Sequence, residues 1–486
     1  MRKRSAKAVA GLAAVVACAA GCTSSPHRAA PSPVGSARAA ASAPSGAPSA
    51  GPTTSTDSLF PSQGDRGYDV VHYAISIAYE PTSKRLTGTD VVTATATQAL
   101  SAFALDLHVL RATSVAVNDV AAAYRQSGDK LVITPSHPIA KGATFRATIR
   151  YGGLPTPYDD NVLGFEGFIP EADGALAQGE PQVAASWYPV NDRPTDKATY
   201  DITITAPTGL AALSNGVLAS KRVDGANTTW HWVESSPMAS YLALVAIGKY
   251  RVSTSTHDGL PVVLAVAAPL PKSTDSALAE TPQVLDFLET KFGPYPFDAV
   301  GGVVHDDIRI RFALENQTRP TYAPSFFLGA EGPTVIAHEL AHQWFGDNVS
   351  VGDWSDVWLN EGFATYAEWL WSEHEGRETP KDMLDTLYQG AGSMPPDPPA
   401  DPTTRSVFGR SSYLRGAATL EALRIAVGDD TFWRIVRGWA RKYAGGNATT
   451  AQFIAFADQV SGKSLDSFLH TWLYVRGTPP YPKPLS

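Results

Sequence analysis

Apolar and polar residues alternate along much of the chain between Tyr68 and Val252. Residues 70–77 (Val-Val-His-Tyr-Ala-Ile-Ser-Ile) and 200–204 (Tyr-Asp-Ile-Thr-Ile) show this alternation, and 241–245 (Tyr-Leu-Ala-Leu-Val) form a third short run. Glycine, proline and asparagine separate the runs. A period of two between such turn residues indicates antiparallel β-strands. The pattern therefore predicts an N-terminal antiparallel β domain over residues 58–268.

After about Pro269 the apolar residues change to helical spacing. Residues 276–291 carry apolar side chains three and four positions apart, and the pattern stops before Gly293-Pro294. The sequence predicts a mostly helical second domain over 269–486, and thus an α+β chain with more than one domain. Further helices are predicted around 334–344, 361–374, 415–425 and 430–443.

The first 22 residues have the layout of an export signal. Four basic residues precede an apolar run from Ala8 to Ala20, which is too short to span a membrane. The run ends in Ala19-Ala20-Gly21-Cys22, which resembles a bacterial lipobox. We expect an exported lipoprotein, anchored through Cys22 to the outer face of the cytoplasmic membrane. The alternative is an ordinary cleaved signal and a secreted protein.

Residues 23–57 consist almost entirely of alanine, serine, proline, glycine and threonine. Such a stretch cannot bury enough apolar surface to fold, so it is predicted to be a disordered tether. The two cysteines of the chain, Cys18 and Cys22, both lie before it. The folded part is therefore expected to hold together without disulfides.

Charge and size limit the classes of partner. A formal net charge of −8 argues against nucleic acid, because phosphate binding needs a basic surface. The 486 residues are 44% hydrophobic, which is enough to build the cores of two or three domains. We expect a monomer.

The sharpest chemical signal lies in residues 335–342 (Val-Ile-Ala-His-Glu-Leu-Ala-His). Side chains four positions apart lie on one face of a helix, so His338 and His342 can reach a single metal ion. Glu339 emerges beside them and can act on a water molecule without being a ligand. The motif is typical of a zinc peptidase in which Glu339 is the general base.

A catalytic zinc site needs a third protein ligand and one open position. Glu361 is predicted to supply that ligand from the start of a second helix, with Asn360 as its N-cap. The competing arrangement has a third histidine at fixed steps after the first motif, and Phe345 and Asn348 exclude it. Two histidines and one carboxylate favour a single zinc ion, although cobalt or manganese could occupy the set.

Three more segments accompany the metal motif: 178–181 (Gln-Gly-Glu-Pro), 311–316 (Arg-Phe-Ala-Leu-Glu-Asn) and 413–417 (Tyr-Leu-Arg-Gly-Ala). With them, the chain from Tyr68 to Pro480 resembles the gluzincin zinc aminopeptidase family, the group of aminopeptidase N and leukotriene hydrolase. The resemblance implies a saddle-like N-terminal β domain followed by a thermolysin-like catalytic domain.

The resemblance also implies roles for individual residues. Glu180 and Glu315 correspond to the two carboxylates that bind the α-amine of the substrate, and Tyr413 to the hydroxyl that stabilises the oxyanion. The substrate-binding set implied by the matching motifs is Gln178, Glu180, Ala313, Glu315 and Asn316. Phe312 and Leu314 stand where the family has glycine and methionine, so its side-chain preference does not carry over.

These features predict an aminopeptidase that acts on peptides with a free N-terminus. An endopeptidase with the same zinc chemistry, an epoxide hydrolase and a non-catalytic binding lipoprotein are the alternatives. The chain ends about 125 residues after Glu361, whereas larger family members continue into a β-sandwich and a helical domain that caps the site. The resemblance thus leads us to expect a more open cleft that accepts longer peptides.

Overall fold

The computed structural model describes residues 47–160, 164–181, 183–329, 332–390 and 394–485. The predicted signal segment, its Cys22 and the predicted tether up to residue 46 lie outside the described residues. None of the helices in the described ranges combines the length and apolarity needed to cross a membrane.

The predicted tether extends too far, because residues 47–57 are part of the fold. Ser49–Ala50 pairs in parallel with the strand that begins at Leu100. The buried carboxylate of Asp57 accepts hydrogen bonds from the N–H groups of Phe60 at 2.7 Å and Trp354 at 2.8 Å. The composition of this segment shows that it cannot form a core of its own, but it does not prevent backbone pairing with a neighbouring sheet.

Three sheets make up the N-terminal half. The largest has eight strands in the order β15-β16-β13-β2-β3-β9-β5-β6, and the other two have the orders β1-β4-β8-β7 and β10-β11-β12-β17-β14. Most neighbours are antiparallel, as predicted, but β2 pairs in parallel with β13. The strands are β1 (Ser49–Ala50), β2 (Tyr68–Glu80), β3 (Arg85–Ala96), β4 (Leu100–Asp106), β5 (Arg111–Val117), β6 (Val120–Ala121), β7 (Ala123–Ser127), β8 (Lys130–Thr134), β9 (Thr144–Gly153), β10 (Tyr158–Asp160), β11 (Gly164–Pro170), β12 (Ala175–Gln178), β13 (Ala198–Pro207), β14 (Ala211–Leu213), β15 (Val217–Asp224), β16 (Asn227–Met238) and β17 (Val245–Gly248).

One predicted strand, at 241–245, is instead a turn. Ser240–Leu242 forms a single turn of 3₁₀ helix, and β17 starts only at Val245. Tyr241 is buried within this turn, and its hydroxyl donates to Glu315 at 3.2 Å. Hydrophobicity alone does not distinguish a short buried strand from a buried turn, which explains the difference.

The second half combines a four-stranded sheet with helices. The strands are β18 (Tyr250–His257), β19 (Leu260–Ala267), β20 (Val300–Val304) and β21 (Thr321–Tyr322), with a small pair formed by β22 (Ser350–Val351) and β23 (Asn447–Ala448). The helices are α1 (Lys272–Leu278), α2 (Thr281–Phe292), α3 (Gly332–His342), α4 (Trp358–His374), α5 (Pro380–Gln389), α6 (Gly416–Val427), α7 (Asp429–Lys442), α8 (Thr450–Ser461) and α9 (Asp466–Leu473).

Sheet pairing moves the structural division between the two halves. β18 and β19 lie inside the range predicted for the N-terminal domain, yet β19 pairs with β20 of the second half. Val262 and Leu264 of β19 belong to the same buried cluster as the helices. By this pairing, β18 and β19 belong to the sheet of the second half, although they lie before residue 268. Alternation identifies a strand but does not identify the sheet that the strand joins.

Two helices differ from their predicted bounds. The segment predicted as one helix over 276–291 contains parts of two helices, α1 and α2. Pro282 explains the break, because it lacks the N–H that an interior helical position needs. It is accommodated in the first turn of α2. α4 begins at Trp358, so Asn360 lies inside the helix and is not its N-cap. The N–H of Asn360 already donates to the carbonyl of Val357 at 2.8 Å.

The C-terminal segment packs against α5 although it has no regular secondary structure. The hydroxyl of Tyr481 donates to Asp385 at 2.5 Å, and Tyr388 donates to the carbonyl of Pro479 at 2.8 Å. Side-chain contacts thus fix the tail against this helix.

Candidate metal centre and substrate cavity

Helices α3 and α4 bring the three predicted ligands together. His338 and His342 lie one turn apart at the end of α3, and Glu361 lies in the first turn of α4. The Oε2 atom of Glu361 is 3.3 Å from Nε2 of His338 and 3.4 Å from Nε2 of His342. All three side chains are buried. The predicted set therefore forms a closed triangle of donor atoms.

The size of this triangle fits zinc. Ligand bonds of about 2.0–2.1 Å at a tetrahedral angle place donor atoms about 3.3–3.4 Å apart, which agrees with the distances that Glu361 makes. Its Oε2 atom is buried and has no hydrogen-bond partner within the described part of the chain. An unsatisfied buried carboxylate oxygen is costly unless a cation completes it. One zinc ion is the cofactor that these residues suit.

The other ring nitrogen of each histidine is held in place. Nδ1 of His338 donates to Oε1 of Glu368 at 2.5 Å, and Nδ1 of His342 donates to the carbonyl of Phe345 at 3.1 Å. These contacts fix the tautomer that leaves Nε2 available to a metal. Sequence reasoning missed Glu368, although it lies seven residues after Glu361, two turns along the same helix.

The charges of the centre are strongly coupled. Burial raises the pKa of Glu361, but His342 and His338 outweigh it and hold this pKa at about 2. Burial lowers the pKa of His342, whereas Glu315 and Glu361 raise it, to about 9 overall. Burial also raises the pKa of Glu339 to about 8, although His338 and His342 oppose this shift. Glu361 is thus anionic, as a metal ligand must be.

A cavity of about 630 Å³ opens over the triad. Glu339 faces it and is 4% exposed, and its Oε2 atom has no hydrogen-bond partner among the described residues. The volume is in the range of sites that enclose small ligands. The cavity is lined by Glu180, Arg311, Phe312, Ala313, Glu315, Phe326, Thr334, Val335, His338, Glu339, His342, Glu361, Glu368, Arg377 and Tyr413.

Two further carboxylates face this cavity, one buried (Glu315) and one partly buried (Glu180). Glu315 accepts a hydrogen bond from the hydroxyl of Tyr241, and Glu180 follows β12, where its backbone N–H donates to Glu166 at 3.1 Å. Burial and the charge of Glu315 raise the pKa of Glu180, and one of its carboxylate oxygens has no hydrogen-bond partner among the residues that the structure describes. A cation bound between Glu180 and Glu315 would offset both the burial of the Glu180 carboxylate and its repulsion from Glu315.

Gln178 and Asn316 lie behind the cavity wall rather than on it. Both side chains accept a hydrogen bond from the hydroxyl of Thr321, and Asn316 also donates to the carbonyl of Leu242 at 3.1 Å. Ala313, by contrast, lines the cavity. The positions of Gln178 and Asn316 suit them to hold the segment that carries Glu315.

Tyr413 lies in a wide helical turn, Ser411–Arg415, just before α6. Its ring is nearly parallel to that of His338, with centroids 6.0 Å apart, and it lines the cavity. Arg415 fixes the turn from behind by donating to several backbone carbonyls, including that of Trp472 at 2.8 Å. Gly362 and Gly416 lie so close that a Cβ on Gly416 would be 2.8 Å from the Cα of Gly362. This approach brings Tyr413 over the metal ligands.

Comparisons with known proteins agree with this geometry. The peptidase M1 N-terminal domain matches residues 70–242, and the peptidase family M1 domain matches residues 276–472. Aminopeptidase M1-A of Oryza sativa subsp. japonica is 29% identical over 351 residues, or 66% of this chain. Human glutamyl aminopeptidase is 30% identical over 326 residues, or 62% of this chain. The chain spans 40% and 34% of the lengths of these two relatives.

The fold also matches solved structures. The M1 zinc metallopeptidase from Deinococcus radiodurans is 30% identical, with a TM-score of 0.82, and the match covers 88% of this chain and 99% of that one. A mutant of the enzyme from this organism, bound to a Tyr-Ser-Ala substrate, aligns equally well. The β-rich first half and helical second half correspond to this architecture. Together with the zinc-sized triad, these matches show that the chain belongs to peptidase family M1.

Proposed function

We propose that this chain is a zinc aminopeptidase that releases residues one at a time from the N-terminus of peptides. The observation that carries the proposal is the placement of Glu180 and Glu315. These two carboxylates, Glu315 buried and Glu180 partly buried, face the same cavity as the metal triad. A site built to bind a cation beside a metal centre suits a peptide with a charged α-amine.

The two carboxylates set which bond is cleaved. A free α-amine has a pKa near ~8 and is mostly protonated at neutral pH. Glu180 and Glu315 bind this ammonium group, with the Tyr241 hydroxyl holding one oxygen of Glu315. Because the amine is fixed at this end of the cavity, the first peptide bond lies over the triad.

Glu339 moves the proton during hydrolysis. Zinc, when held by the triad, lowers the pKa of water and polarises the scissile carbonyl. Oε2 of Glu339, to which no residue of the described ranges donates, accepts the proton of the attacking water. The carboxyl then returns a proton to the leaving nitrogen as the C–N bond breaks. The products are an amino acid and a peptide shorter by one residue.

Tyr413 stabilises the charge that develops on the carbonyl oxygen. Its ring lies beside His338 on the cavity wall, so its hydroxyl is available to the reacting group. A donor placed in advance in a site that excludes water lowers the barrier more than the same donor in water. The names of the relatives, aminopeptidase M1-A and glutamyl aminopeptidase, support this reaction class, as does the Deinococcus structure with a peptide substrate.

The test is hydrolysis of aminoacyl fluorogenic amides, each offered with a free and with an acetylated amine. We expect cleavage of the free amines alone, because acetylation removes the positive charge that Glu180 and Glu315 bind. The Glu339→Gln protein, with its zinc content measured, is the control. Cleavage of acetylated substrates would favour the endopeptidase alternative, and no cleavage by a zinc-loaded protein would contradict the proposal.

We also propose that the protein is exported and lipid-anchored through Cys22. The basic start, the short apolar run and the lipobox-like Ala19-Ala20-Gly21-Cys22 support this location. Mass spectrometry of the mature N-terminus checks it. A diacylated Cys22 is expected, with the Cys22→Ala protein lacking the lipid; a wild-type N-terminus without lipid would contradict the anchor.

A further inference from the structure

Arg311 is a cation on the cavity wall whose charge no described residue neutralises. Its exposed side chain lines the cavity together with Glu315 and His338. Within the described ranges it makes no hydrogen bond or ion pair. The other arginine of the cavity, Arg377, already donates to Glu375. Arg311 is therefore available for an anion that enters the cavity.

The lining of the cavity carries charges of both signs. The lining around the metal triad is acidic and contains four glutamates besides Glu361: Glu180, Glu315, Glu339 and Glu368. Arg311 provides the opposite charge on the same wall. A ligand that complements this layout is positive at one end and negative at the other, as a short peptide with free termini is.

The chain length between Arg311 and Glu315 limits how far apart they can lie. Both belong to one segment, which the bridge between Leu314 and Thr321 fixes to β21. Four residues of extended chain span at most ~14 Å, so the two Cα atoms are no farther apart than that, and the main chain of a tripeptide spans about 10 Å. A peptide of three or four residues is therefore long enough to reach both side chains.

We propose that Arg311 binds the C-terminal carboxylate of tri- and tetrapeptides, and so makes short peptides with a free carboxyl group the preferred substrates. The inference rests on the proposed aminopeptidase function, because Glu180 and Glu315 must hold the amine. The planar guanidinium presents paired N–H donors that match the two oxygens of a carboxylate.

An acidic side chain on the first residue of the substrate is a poorer candidate for this anion. That side chain would lie next to the amine, close to Glu180 and Glu315, where like charges repel. The terminal carboxylate lies on the leaving side of the scissile bond, away from these glutamates. The arrangement of charges therefore favours the C-terminal carboxylate, rather than an acidic first side chain, as the anion that Arg311 binds.

The experiment compares kcat and KM for Tyr-Ala-Ala and its C-terminal amide. We expect the acid to be cleaved with a kcat/KM about tenfold higher, mainly through a lower KM, since a charge-assisted hydrogen bond to an exposed arginine is of that strength. The amide of Tyr-Ala-Glu identifies the source of the carboxylate. Turnover as slow as that of the Tyr-Ala-Ala amide supports the proposal, whereas restored turnover would overturn it in favour of side-chain recognition.

Variants of Arg311 connect the preference to this residue. In Arg311→Gln the acid-to-amide ratio should fall to about one, and Arg311→Lys should keep part of it because the charge remains. Arg434→Gln, which removes an exposed arginine of α7, is the matched control and should keep the full ratio. An unchanged ratio in Arg311→Gln would overturn the assignment.

These measurements separate the inference from the function on which it rests. If the wild-type protein cleaves the acid and the amide equally well, the role of Arg311 is wrong while the aminopeptidase function stands. If zinc-loaded wild-type protein cleaves neither peptide nor any aminoacyl amide, the proposed function itself is wrong.

Discussion

Buried carboxylates occur in both halves of the molecule, but they are used differently. In the N-terminal half, Asp65 accepts the N–H groups of Gly67 at 2.7 Å and Ala104 at 2.9 Å, so each oxygen has a partner. Around the cavity, Glu339 and Glu361 each retain one buried oxygen to which none of the described residues donates. The first kind joins loops to strands, and the second kind remains available to a ligand.

The difference separates acids that hold the fold from acids that form the site. A buried polar atom without a partner costs about 1–3 kcal/mol, and a charged one more. Several such atoms in one cavity persist when a ligand that binds there stabilises them. Zinc for Glu361, and water for Glu339, would satisfy these oxygens. Nothing comparable is needed around Asp65.

Replacing Glu361 with glutamine should have the largest effect. The amide lacks the negative charge that completes the triad, so we expect the bound zinc to fall well below one ion per chain. Activity should fall by about 10³- to 10⁵-fold, because a metal acting as a Lewis acid lowers the reaction barrier by several kcal/mol. Elemental analysis and kcat/KM for a free aminoacyl amide check this.

Glu421→Gln is the matched control for Glu361→Gln. Glu421 is also a buried glutamate of the helical half, but the hydroxyl of Tyr366 donates to it at 2.7 Å. The Glu421→Gln protein should therefore keep its zinc. Full zinc content and activity in Glu361→Gln would show that the triad is not the metal site.

Asp106→Asn tests the other kind of acid. Asp106 is 2.6 Å from Nζ of Lys130 and accepts the N–H of Gly64 at 2.8 Å. Losing its charge leaves the partly exposed Lys130 without its counter-ion, and we expect a loss of about 3 kcal/mol of unfolding free energy. Thermal unfolding measures this loss of stability, and the zinc content of the Asp106→Asn protein should equal that of the wild type.

Asp129→Asn is the control for that variant, because Asp129 is half exposed and pairs with His108 at the surface. It should lower the stability by less than about 1 kcal/mol. Equal destabilisation by the two substitutions would remove the distinction between buried and surface acids in this half.

Glu368→Gln should have an intermediate effect on the metal. Glu368 holds Nδ1 of His338, and loss of such a partner typically weakens metal binding by about 10- to 100-fold. Competition with a zinc chelator measures the change. Glu373→Gln alters an exposed glutamate of the same helix and should bind zinc as the wild type does. Unchanged affinity in Glu368→Gln would show that this contact does not support the site.

The metal ligands were predictable because their geometry is local. His338 and His342 are four residues apart on one helix, and Glu361 follows in a second recognisable motif. The role of Glu368 was not visible, because a charged residue on a helix usually faces solvent and only the crossing of α3 and α4 brings it to His338.

Long-range pairing explains the rest of what the sequence did not reveal. The strands of Tyr250–Ala267 alternate as the N-terminal strands do, yet they join the sheet of the helical half. Gln178 and Asn316 share motifs with residues of the cavity, but both side chains bond to Thr321 behind it. Which face a side chain takes depends on such partners, and these are distant in sequence.

Asp90 is a buried acid of the N-terminal half that differs from Asp65 and Asp106. Its substitution has the smallest expected effect. It lies on β3 between Ile75 and Ile149, wholly buried, and neither of its oxygens has a partner among the described residues. Burial raises its pKa well above the ordinary value. Of the groups near it, Tyr151 and Tyr200 are phenols whose pKa values are raised, so both stay neutral.

The raised pKa of Asp90 makes the stability depend on pH. Between the ordinary pKa of about 4 and the raised one, the folded protein binds a proton that the unfolded chain has lost, so the stability contributed by this group falls as pH rises. Asp90→Asn has no such proton and should have a flatter melting curve against pH. Its Tm relative to wild type should rise between pH 5 and pH 8, by the equivalent of about 1 kcal/mol, or about 1 °C for a fold of this size. Asp106→Asn should melt below wild type at both pH values. Parallel curves for Asp90→Asn and wild type would mean that Asp90 is ionised in the folded protein and has a partner, as Asp65 and Asp106 do.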